Sequence, residues 1–419
     1  MSYKNIKGTH DLYFGAVDKF QYIESKACSI AKKYSFKEIR TPIFEYLNVF
    51  EKNLGEQTDI INKEMYVFED KNGEKLVLRP EGTAAVVRSL ISNGLTHLLP
   101  LKFFYYGPMF RYERPQKGRQ RQFHQIGFEY LGTNSYTSDV EVINLATDFL
   151  QNLNINDYKI LLNSLGSIDT LNNYKKSLVD YFINYKNKLS QDSQVRLQKN
   201  PLRILDSKEE QDKEILKNIP IIYDFFSTQD KEFFASLKES LDYLGIKYEL
   251  APTLVRGLDY YTHSVFEFVS NNLGAQSTIL AGGRYNNLIK NMGGVDVGAC
   301  GFACGIERLS LLLNDIEIQN KAIALITKDE NCDAYTLNLA NKLRTEYNFN
   351  ASYMLGKDFS TKLKKTSPQD YFLAIIIGEN EIKDNILSIK DLHTSNQYKI
   401  ELSQLKDFLN NSYINYKIN

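Results

Sequence analysis

The chain has 419 residues, and its 51 Lys and Arg residues balance 51 Asp and Glu residues to a formal net charge of zero. This length favours two or three domains, and the zero charge excludes a global electrostatic footprint for nucleic acid while leaving room for local patches. The sequence has no apolar run near the roughly twenty residues of a membrane span, and no basic and apolar leader at Met1. We therefore expect a cytoplasmic protein with no membrane segment.

The four cysteines are Cys28, Cys300, Cys304 and Cys332. They show neither a paired disulfide framework nor the spacing of a zinc site. We therefore expect structural thiols and assign no metal-ligating residues.

The first third of the chain reads as a helix followed by antiparallel sheet. Between Tyr22 and Tyr34 the apolar residues fall on one stripe, which predicts an amphipathic helix. The segment KEIRTPIFEY, which contains Pro42, is typical of a strand that ends or lies at an edge or interface. The segments MYVFED, KLVLRP and LKFFYYG predict further strands, with Asn72 and Gly73 as a tight hairpin turn between the first two.

The segment from Phe110 to Gly132 predicts a strand, a basic turn and a second strand. Five cationic residues lie around the turn: Arg111, Arg114, Lys117, Arg119 and Arg121. Planar guanidinium groups match phosphate oxygens two at a time, which favours a polyphosphate ligand. A solvated charged hairpin is the alternative, and this segment alone leaves both interpretations open.

The spacing of the apolar residues changes further along the chain. From 166 to 250 the apolar residues follow helical spacing, and strand-like sequence returns in HSVFEFVS. Two glycine-rich segments follow, AGGRYNNL and GACGFACGIERLSLLL, and the second leads into a helix that carries Glu307 and Arg308. From Lys321 onward strand and helix alternate. These changes predict a sheet domain in two parts, 1–165 and 251–318, a helical insertion, 166–250, and a small α/β domain, 319–419.

Several of these motifs together carry a family resemblance. The basic hairpin and GIERL resemble the second and third signature motifs of class II aminoacyl-tRNA synthetases, and KEIRTPIFE resembles the first. The motifs RPEGT, LVRGLDYYT and AGGRY are narrower, and their joint presence resembles the histidyl-tRNA synthetase family over nearly the whole chain. The resemblance implies an α+β fold, in which a class II synthetase antiparallel sheet core with a helical insertion is followed by a small C-terminal α/β anticodon-binding domain.

The resemblance also implies a reaction. In this family the histidine carboxylate attacks the α-phosphate of ATP to give an adenylate and pyrophosphate, and the histidyl group is then transferred to tRNA(His). We therefore expect a histidine–tRNA ligase of cytoplasmic translation that uses L-histidine, ATP, Mg²⁺ and tRNA(His), and a homodimer joined through the first motif. The family's dependence on an extra guanine at the 5′ end of the tRNA makes the turn from Arg114 to Arg121 its expected reader.

Four arginines are implied as the ATP site. Arg111 matches the arginine that grips the α-phosphate, and Arg119 matches one placed toward the outer phosphates. Arg308 matches one that lies against adenine or the γ-phosphate. Arg256 corresponds to an arginine beside the α-phosphate, at a place where related enzymes hold a metal ion. Arg256 and Arg111 are the expected catalytic residues. A surface ion pair is the alternative for each arginine taken singly.

The imidazole of histidine needs partners for its two nitrogens. By resemblance, Glu129 and Tyr261 hold these nitrogens, with Tyr260 and Tyr285 nearby. Core packing is the alternative for the paired tyrosines. A pocket built around hydrogen bonds rejects ligands that lack the partners by about 10⁴, so no editing domain is required.

The remaining histidine-binding residues are implied to hold its α-amino and carboxylate groups. Glu81, Thr83 and Gln125 match residues that bind the amino group and orient the carboxylate, and Gly82 belongs to the same motif. His124 invites a catalytic role because it lies in the return strand of the basic hairpin. We assign it none, since a lone histidine beside an aromatic residue is more often structural.

Two other functions stay open at this point. One is a non-catalytic relative, such as the regulatory subunit of ATP phosphoribosyltransferase, which shares the sheet domain but does not aminoacylate. The other is a class II synthetase for a different amino acid. The complete arginine set argues against the first alternative, as does a C-terminal segment rich in lysines, which are Lys357, Lys362, Lys364 and Lys365.

Overall fold

The structure is a computed structural model that describes residues 3–51, 63–274, 277–314 and 321–418. The chain divides into two compact units, Met1–Asn314 and Asp315–Asn419. Both units mix helices and strands, which confirms the expected α+β class. Within the described ranges, no helix has both the length and the apolar character needed to cross a membrane.

The first unit contains eleven strands and ten helices among its described residues. The strands are β1 (Lys37–Glu38), β2 (Phe44–Tyr46), β3 (Tyr66–Glu69), β4 (Lys75–Leu78), β5 (Leu101–Phe110), β6 (Gln122–Leu131), β7 (Lys159–Ser164), β8 (Glu249–Leu250), β9 (Thr262–Val269), β10 (Thr278–Arg284) and β11 (Ala299–Gly305). The helices are α1 (Gly15–Lys33), α2 (Asn48–Glu51), α3 (Thr83–Ser92), α4 (Tyr136–Asn152), α5 (Ile168–Ile183), α6 (Gln191–Lys199), α7 (Glu210–Leu216), α8 (Thr228–Tyr243), α9 (Leu288–Asn291) and α10 (Ile306–Leu312).

Eight of these strands form one large sheet, in the order β1-β5-β6-β11-β10-β9-β7-β8. The end pairs, β1 with β5 and β7 with β8, are parallel, and the six central strands pair antiparallel. Phe104, Phe128 and Phe302 stand opposite one another on β5, β6 and β11 and stack at centroid distances of 5.7 and 5.1 Å. Phe149 of α4 lies against the same stack. This face of the sheet therefore packs into the core, and the side chains at alternate positions of each strand point to the opposite face.

The predicted basic hairpin is confirmed as β5 and β6. The two strands pair without interruption from Leu101 opposite Leu131 to Phe110 opposite Gln122. The smaller predicted hairpin is confirmed as β3 and β4, which pair antiparallel on either side of the Asn72–Gly73 turn. It belongs to a separate three-stranded sheet of order β2-β4-β3. The segment around Pro42 thus supplies β1 to one sheet and β2 to the other.

The chain leaves the large sheet after β7 and returns at β8, and helices α5 to α8 occupy the interval. The buried carboxylate of Asp230 gathers the helix starts here, because it accepts hydrogen bonds from Ser167, Thr170 and Ser227. Burial raises the pKa of Asp230, but these hydrogen bonds outweigh it and leave the pKa below its ordinary value. We call residues 166–250 the helical segment. Its expected status as a separate insertion stays a prediction.

The second unit is a small α/β domain. Its strands are β12 (Ala322–Thr327), β13 (Ala351–Tyr353), β14 (Tyr371–Ile377), β15 (Ile386–Asp391) and β16 (Gln397–Glu401), and its helices are α11 (Asp333–Thr345), α12 (Phe359–Lys364), α13 (Glu379–Lys383) and α14 (Leu405–Ile418). The sheet order is β13-β12-β14-β15-β16, in which the first three strands are parallel and the last two antiparallel. The expected alternation of strand and helix is therefore present.

Candidate active site

One cleft in the first unit brings together the residues predicted from the sequence. Its lining includes Glu81, Thr83, Arg111, Arg119, Gln125, Glu129, Arg256, Tyr260, Tyr261, Tyr285 and Arg308. Of the predicted set only Gly82 is absent from the lining, and its backbone N–H donates to Oε1 of Gln125 at 3.2 Å. Groups from distant parts of the chain thus meet on the sheet face opposite the phenylalanine stack.

Strand alternation explains why the middle of the cleft is polar. On β6 the side chains of Gln125 and Glu129 point into the cleft, while Phe128 between them points into the core. Glu129 stands opposite Gly301 on β11, and a Cβ at Gly301 would overlap the Glu129 carboxylate. The glycine is therefore required for the carboxylate to occupy this position.

Glu129 is the centre of a buried hydrogen-bond network. Its side chain is 1% exposed, and it accepts hydrogen bonds from the hydroxyls of Thr83, at 2.7 Å, and Tyr285. Burial raises the pKa of Glu129 to about 8, with repulsion from Glu81 adding to the rise and the two hydroxyls opposing it. A carboxyl group placed so deeply can hold one N–H donor firmly and rejects ligands that offer none.

Glu81 lies next to this network at the start of α3. Its two oxygens accept the backbone N–H groups of Thr83, at 2.7 Å, and Ala84, at 2.8 Å, so it caps the helix. Burial raises the pKa of Glu81, and these hydrogen bonds together with the charge of Arg111 oppose the rise. Negative charge between the helix start and the arginines is suited to a small ligand cation such as an α-amino group.

Three tyrosines close the same end of the cleft. The ring centroids of Tyr260 and Tyr261 are 4.7 Å apart, and Tyr285 meets Tyr260 edge-on at 5.6 Å. All three are buried, and Tyr261 lies near the Arg256 guanidinium, whose charge opposes the effect of burial on the pKa of Tyr261. Both packing and site lining therefore apply to the paired tyrosines, which the sequence had offered as alternatives.

The other end of the cleft is cationic. Nη1 of Arg111 lies 3.8 Å from one oxygen of Glu113, and Nη1 of Arg119 lies 3.2 Å from the other. Arg111 also donates through Nε to the carbonyl of Pro80 at 2.9 Å and stacks over Phe123. Glu113 therefore joins two of the four predicted arginines and fixes their spacing in the cleft.

Arg308 reaches this cluster from α10. It donates to the carbonyls of Gly118, at 3.1 Å, and Thr278, at 2.9 Å, so it ties the basic hairpin turn to β10. Burial, together with the positive charges of Arg119 and Arg111, lowers the pKa of Arg308. A cluster of like charges that lowers the pKa of one of its members indicates a place where an anion is bound.

Arg256 completes the set from the loop between β8 and β9. Its guanidinium pairs with Glu267 on β9, and Glu267 also accepts the hydroxyl of Thr278 at 3.1 Å. The Nε of Arg256 is buried without a hydrogen-bond partner among the described residues, and the same holds for Nε of Arg119. Buried donors of this kind are rare in folded proteins, so two in one cleft favour a ligand that supplies acceptor oxygens.

His124 has a structural contact in this site. Its backbone N–H donates to Glu307 at 2.8 Å, its ring Nδ1 lies 3.1 Å from the same carboxylate, and its ring meets Phe20 edge-on. It thereby fixes Glu307, which lines the cleft beside Arg308.

Two family models match this chain. The family model described as "Histidyl-tRNA synthetase" matches residues 8–309, and the one described as "Anticodon binding domain" matches residues 321–412. The chain is 44% identical over 408 residues to the histidine–tRNA ligase of Rickettsia conorii (strain ATCC VR-613 / Malish 7), which covers 96% of this chain and 98% of that one.

Comparison with solved structures gives the same family. Apo S. aureus histidyl-tRNA synthetase is 33% identical and superposes with a TM-score of 0.80, covering 97% of this chain and 99% of its own. The chain belongs to the histidyl-tRNA synthetase family. Its activity is that of a histidine–tRNA ligase, a class II aminoacyl-tRNA synthetase, with ATP as a substrate.

This assignment decides between the alternatives left open by the sequence. A structure described as an ATP phosphoribosyltransferase regulatory subunit/histidyl-tRNA synthetase from Bacillus halodurans C has a TM-score of 0.66 over 90% of this chain and 98% of its own, but it is 21% identical and shows the fold alone. The similarity to histidine–tRNA ligases is twice as high and extends through the C-terminal domain. The family is therefore that of the histidine enzymes, as expected.

Sequence reasoning missed residues that hold the predicted ones in place. The hydroxyl of Tyr105 lies 3.3 Å from Gln125 and 3.4 Å from Glu129, and a Cβ at Gly82 or Gly127 would overlap its ring. Register counted from the hairpin turn would have found Tyr105, because it stands opposite Gly127, midway between the two predicted ligands. No comparable signal exists for Glu267. Arg284 belongs to the AGGRY motif, but its partner in the buried ion pair, Asp139, is far away in sequence.

Proposed function

We propose that this cleft activates L-histidine with ATP and that the twelve predicted residues carry out the binding and the chemistry. The observation that supports the proposal is the meeting, in one cleft, of a four-arginine cluster with a buried carboxyl network. The first can bind a triphosphate, and the second can bind the imidazole and amino groups of histidine. The two substrates can therefore bind side by side in the same cleft.

At the cationic end, Arg111 and Arg256 would hold the α-phosphate, while Arg119 and Arg308 would bind the outer phosphates and the adenine. Attack by the histidine carboxylate increases negative charge on the α-phosphate oxygens, and donors fixed in advance stabilise that charge more in the transition state than in the ground state. The unpartnered Nε atoms of Arg119 and Arg256 supply two such donors. Arg256 and Arg111 are therefore the proposed catalytic residues.

At the other end, Glu129 and Tyr261 would bind the two imidazole nitrogens, with Tyr260 and Tyr285 enclosing the ring. Glu81, Thr83 and Gln125 would hold the α-amino group at the start of α3, where Gly82 lets the backbone approach closely. This arrangement points the histidine carboxylate toward the arginines. Positioning of the two reactants accounts for much of the acceleration in such reactions.

We propose that Mg²⁺ accompanies ATP. Across the parts of the chain that the structure describes, no three His, Cys, Asp or Glu side chains are grouped so that they could cage a metal ion. Mg²⁺ often binds through substrate phosphates and one or two carboxylates, and Glu113 and Glu307 supply carboxylates at the cationic end. When bound there, the ion would neutralise phosphate charge alongside the arginines.

For the second step, we propose that the turn from Arg114 to Arg121 contacts the 5′ end of tRNA(His) and that the C-terminal unit binds its anticodon. The turn lies beside the cleft, since Gly118 and Arg119 both line it. The domain match over residues 321–412 supports the second contact. In this proposal the enzyme serves cytoplasmic translation.

We propose a homodimer formed through the three-stranded sheet. Phe44 and Phe68 lie on the outer strands of this sheet, and Tyr46 stands in line with Phe68 across β4. All three are exposed, Phe44 by 55% and Tyr46 by 53%. Contiguous exposed apolar residues of this kind mark interaction surfaces.

Pyrophosphate exchange into ATP, measured with each of the twenty amino acids, tests the proposal. We expect exchange with histidine only. Exchange with a different amino acid would mean that the pocket is misassigned, and absence of exchange with all twenty would mean that the cleft does not activate amino acids.

A further inference from the structure

The loop that carries Arg256 lies between two cavities. Arg256, Leu258 and Tyr261 line the candidate active site and also line a smaller cavity on the far side of the loop. The opposite wall of the smaller cavity is formed mainly by the helical segment, through Leu171, Lys175, Leu202 and Arg203. The helical segment therefore faces the loop across this smaller cavity.

Two hydrogen bonds join the helical segment to this loop. Nη1 of Arg203 donates to the backbone carbonyl of Arg256 at 3.2 Å. Nδ2 of Asn200 donates to Oδ1 of Asp259 at 2.8 Å. The guanidinium of Arg256 is held by Glu267 on β9, so its backbone and its side chain are secured by different parts of the fold.

The turn that supplies these donors is itself firmly anchored. Residues Pro201–Ile204 form a single 3-10 turn after α6, in which the backbone N–H of Arg203 donates to the carbonyl of Asn200 at 3.0 Å. Pro201, Leu202 and Ile204 are buried, and Asn200 is 6% exposed. The donors thus approach the loop from a rigid support and not from a mobile surface.

Charge complements this contact. Asp259 is partly buried, and burial raises its pKa while the positive charges of Lys175 and Arg203 oppose the rise. Both cations belong to the helical segment, and Asp259 belongs to the loop. The contact therefore combines hydrogen bonds with an attraction between opposite charges across the smaller cavity.

We infer that Arg203 and Asn200 are positioning residues for histidine activation, because they hold the loop in the conformation that aims Arg256 at the α-phosphate. The inference rests on the proposed function of the cleft. It gives the helical segment a part in the first step of the reaction, in the absence of tRNA. Neither residue lines the candidate active site, and Arg203 lies on the smaller cavity instead.

The test is pyrophosphate exchange with histidine in the absence of tRNA. We expect Arg203→Ala and Asn200→Ala to lower kcat about tenfold, because small displacements of a catalytic group are costly, while Arg203→Lys restores much of the rate by donating to the same carbonyl. Asn184→Ala is the control, since Asn184 makes a similar hydrogen bond, to the carbonyl of Asp180, at an exposed place in the same segment. It should exchange at the wild-type rate.

A second comparison separates positioning from general destabilisation. In an Arg256→Lys background, Arg203→Ala should cause little further loss of kcat, because the group that it positions has already been changed. An equal loss in both backgrounds would overturn the inference, as would wild-type exchange by folded Arg203→Ala and Asn200→Ala proteins. If thermal melting shows that the Arg203→Ala protein is unfolded, the exchange rates of Asn200→Ala and Arg203→Lys test the inference in its place. Absence of exchange in the wild-type protein would instead count against the proposed function of the cleft.

Discussion

Glu129 shows how a single side chain can have its charge set by the fold. The carboxyl group is enclosed by Thr83, Tyr105 and Tyr285, and it has no cationic partner among these close neighbours. Burial therefore dominates and raises the pKa to about 8. In the histidine-free protein near neutral pH, the neutral form is favoured, and an incoming imidazole N–H would favour the ionised form.

This shift predicts a pH dependence of stability. A carboxyl whose pKa is higher in the folded state stabilises the protein fully below its unfolded pKa, near 4.5, and loses that contribution as the pH rises toward about 8. The free energy of unfolding of the wild type should therefore fall over this range relative to Glu129→Gln, by up to about 1.4 kcal/mol per pH unit. Denaturant unfolding of both proteins without histidine checks this, and parallel pH profiles would contradict it.

Glu129→Gln should also damage histidine selection. The amide keeps the size of the side chain but presents an N–H₂ group where one carboxylate oxygen stood, so it can pair with fewer donors. We expect a histidine KM at least tenfold higher in pyrophosphate exchange, with the KM for ATP nearly unchanged. An unchanged histidine KM would show that Glu129 does not contact the substrate.

At the scale of elements, local pattern predicted most of what the structure contains. The β5–β6 and β3–β4 hairpins follow from alternating apolar residues around strong turn signals, and α1 follows from its apolar stripe. Prediction was weaker where two distant segments meet. The segment around Pro42 suggested a strand at an edge, but only the fold shows that it serves two different sheets.

The candidate site divides in the same way. The eleven predicted residues that line the cleft were found because they lie in short motifs with a known family pattern, whereas Glu113, which also lines it, was not predicted. The partners that fix them, such as Glu267 for Arg256, lie in unremarkable strand sequence and are brought close only by the packing of the sheet. Sequence spacing carries no information about such contacts, because they depend on three-dimensional proximity.

Arg284 and Asp139 form the ion pair that holds α4 to β10. Both side chains are fully buried, and Arg284 also donates to the carbonyls of Thr133 and Ser135, each at 2.7 Å. The pair places Tyr285, the next residue, against Glu129.

We expect Asp139→Asn to lower the free energy of unfolding by about 3–5 kcal/mol, because it leaves the buried Arg284 guanidinium without a counter-charge. Asp296→Asn is the matched control, since the pair between Lys290 and Asp296 is exposed and should contribute less than about 1 kcal/mol. Denaturant unfolding measures both. Equal small effects would show that the buried pair is dispensable.

At the scale of the whole molecule, the uncovered apolar face of the three-stranded sheet predicts association. We expect the wild type to sediment as a dimer at micromolar concentration, and a Phe44→Asp/Phe68→Asp variant to shift to monomer, because burying two carboxylates in an apolar interface is unfavourable. Tyr243→Asp is the control, because Tyr243 is 91% exposed at the end of α8, outside this sheet. A wild-type monomer under these conditions would exclude the proposed interface.

The central claim is that separate segments of the chain converge on one reaction, with Arg256 acting on the α-phosphate beside a pocket for histidine. Pyrophosphate exchange by Arg256→Ala, with circular dichroism to verify the fold, tests this most directly. We predict a folded protein whose exchange with histidine falls by about 10²–10³, the range found when a preorganised donor is removed from a transition state. A folded Arg256→Ala variant that exchanges at close to the wild-type rate would contradict the account.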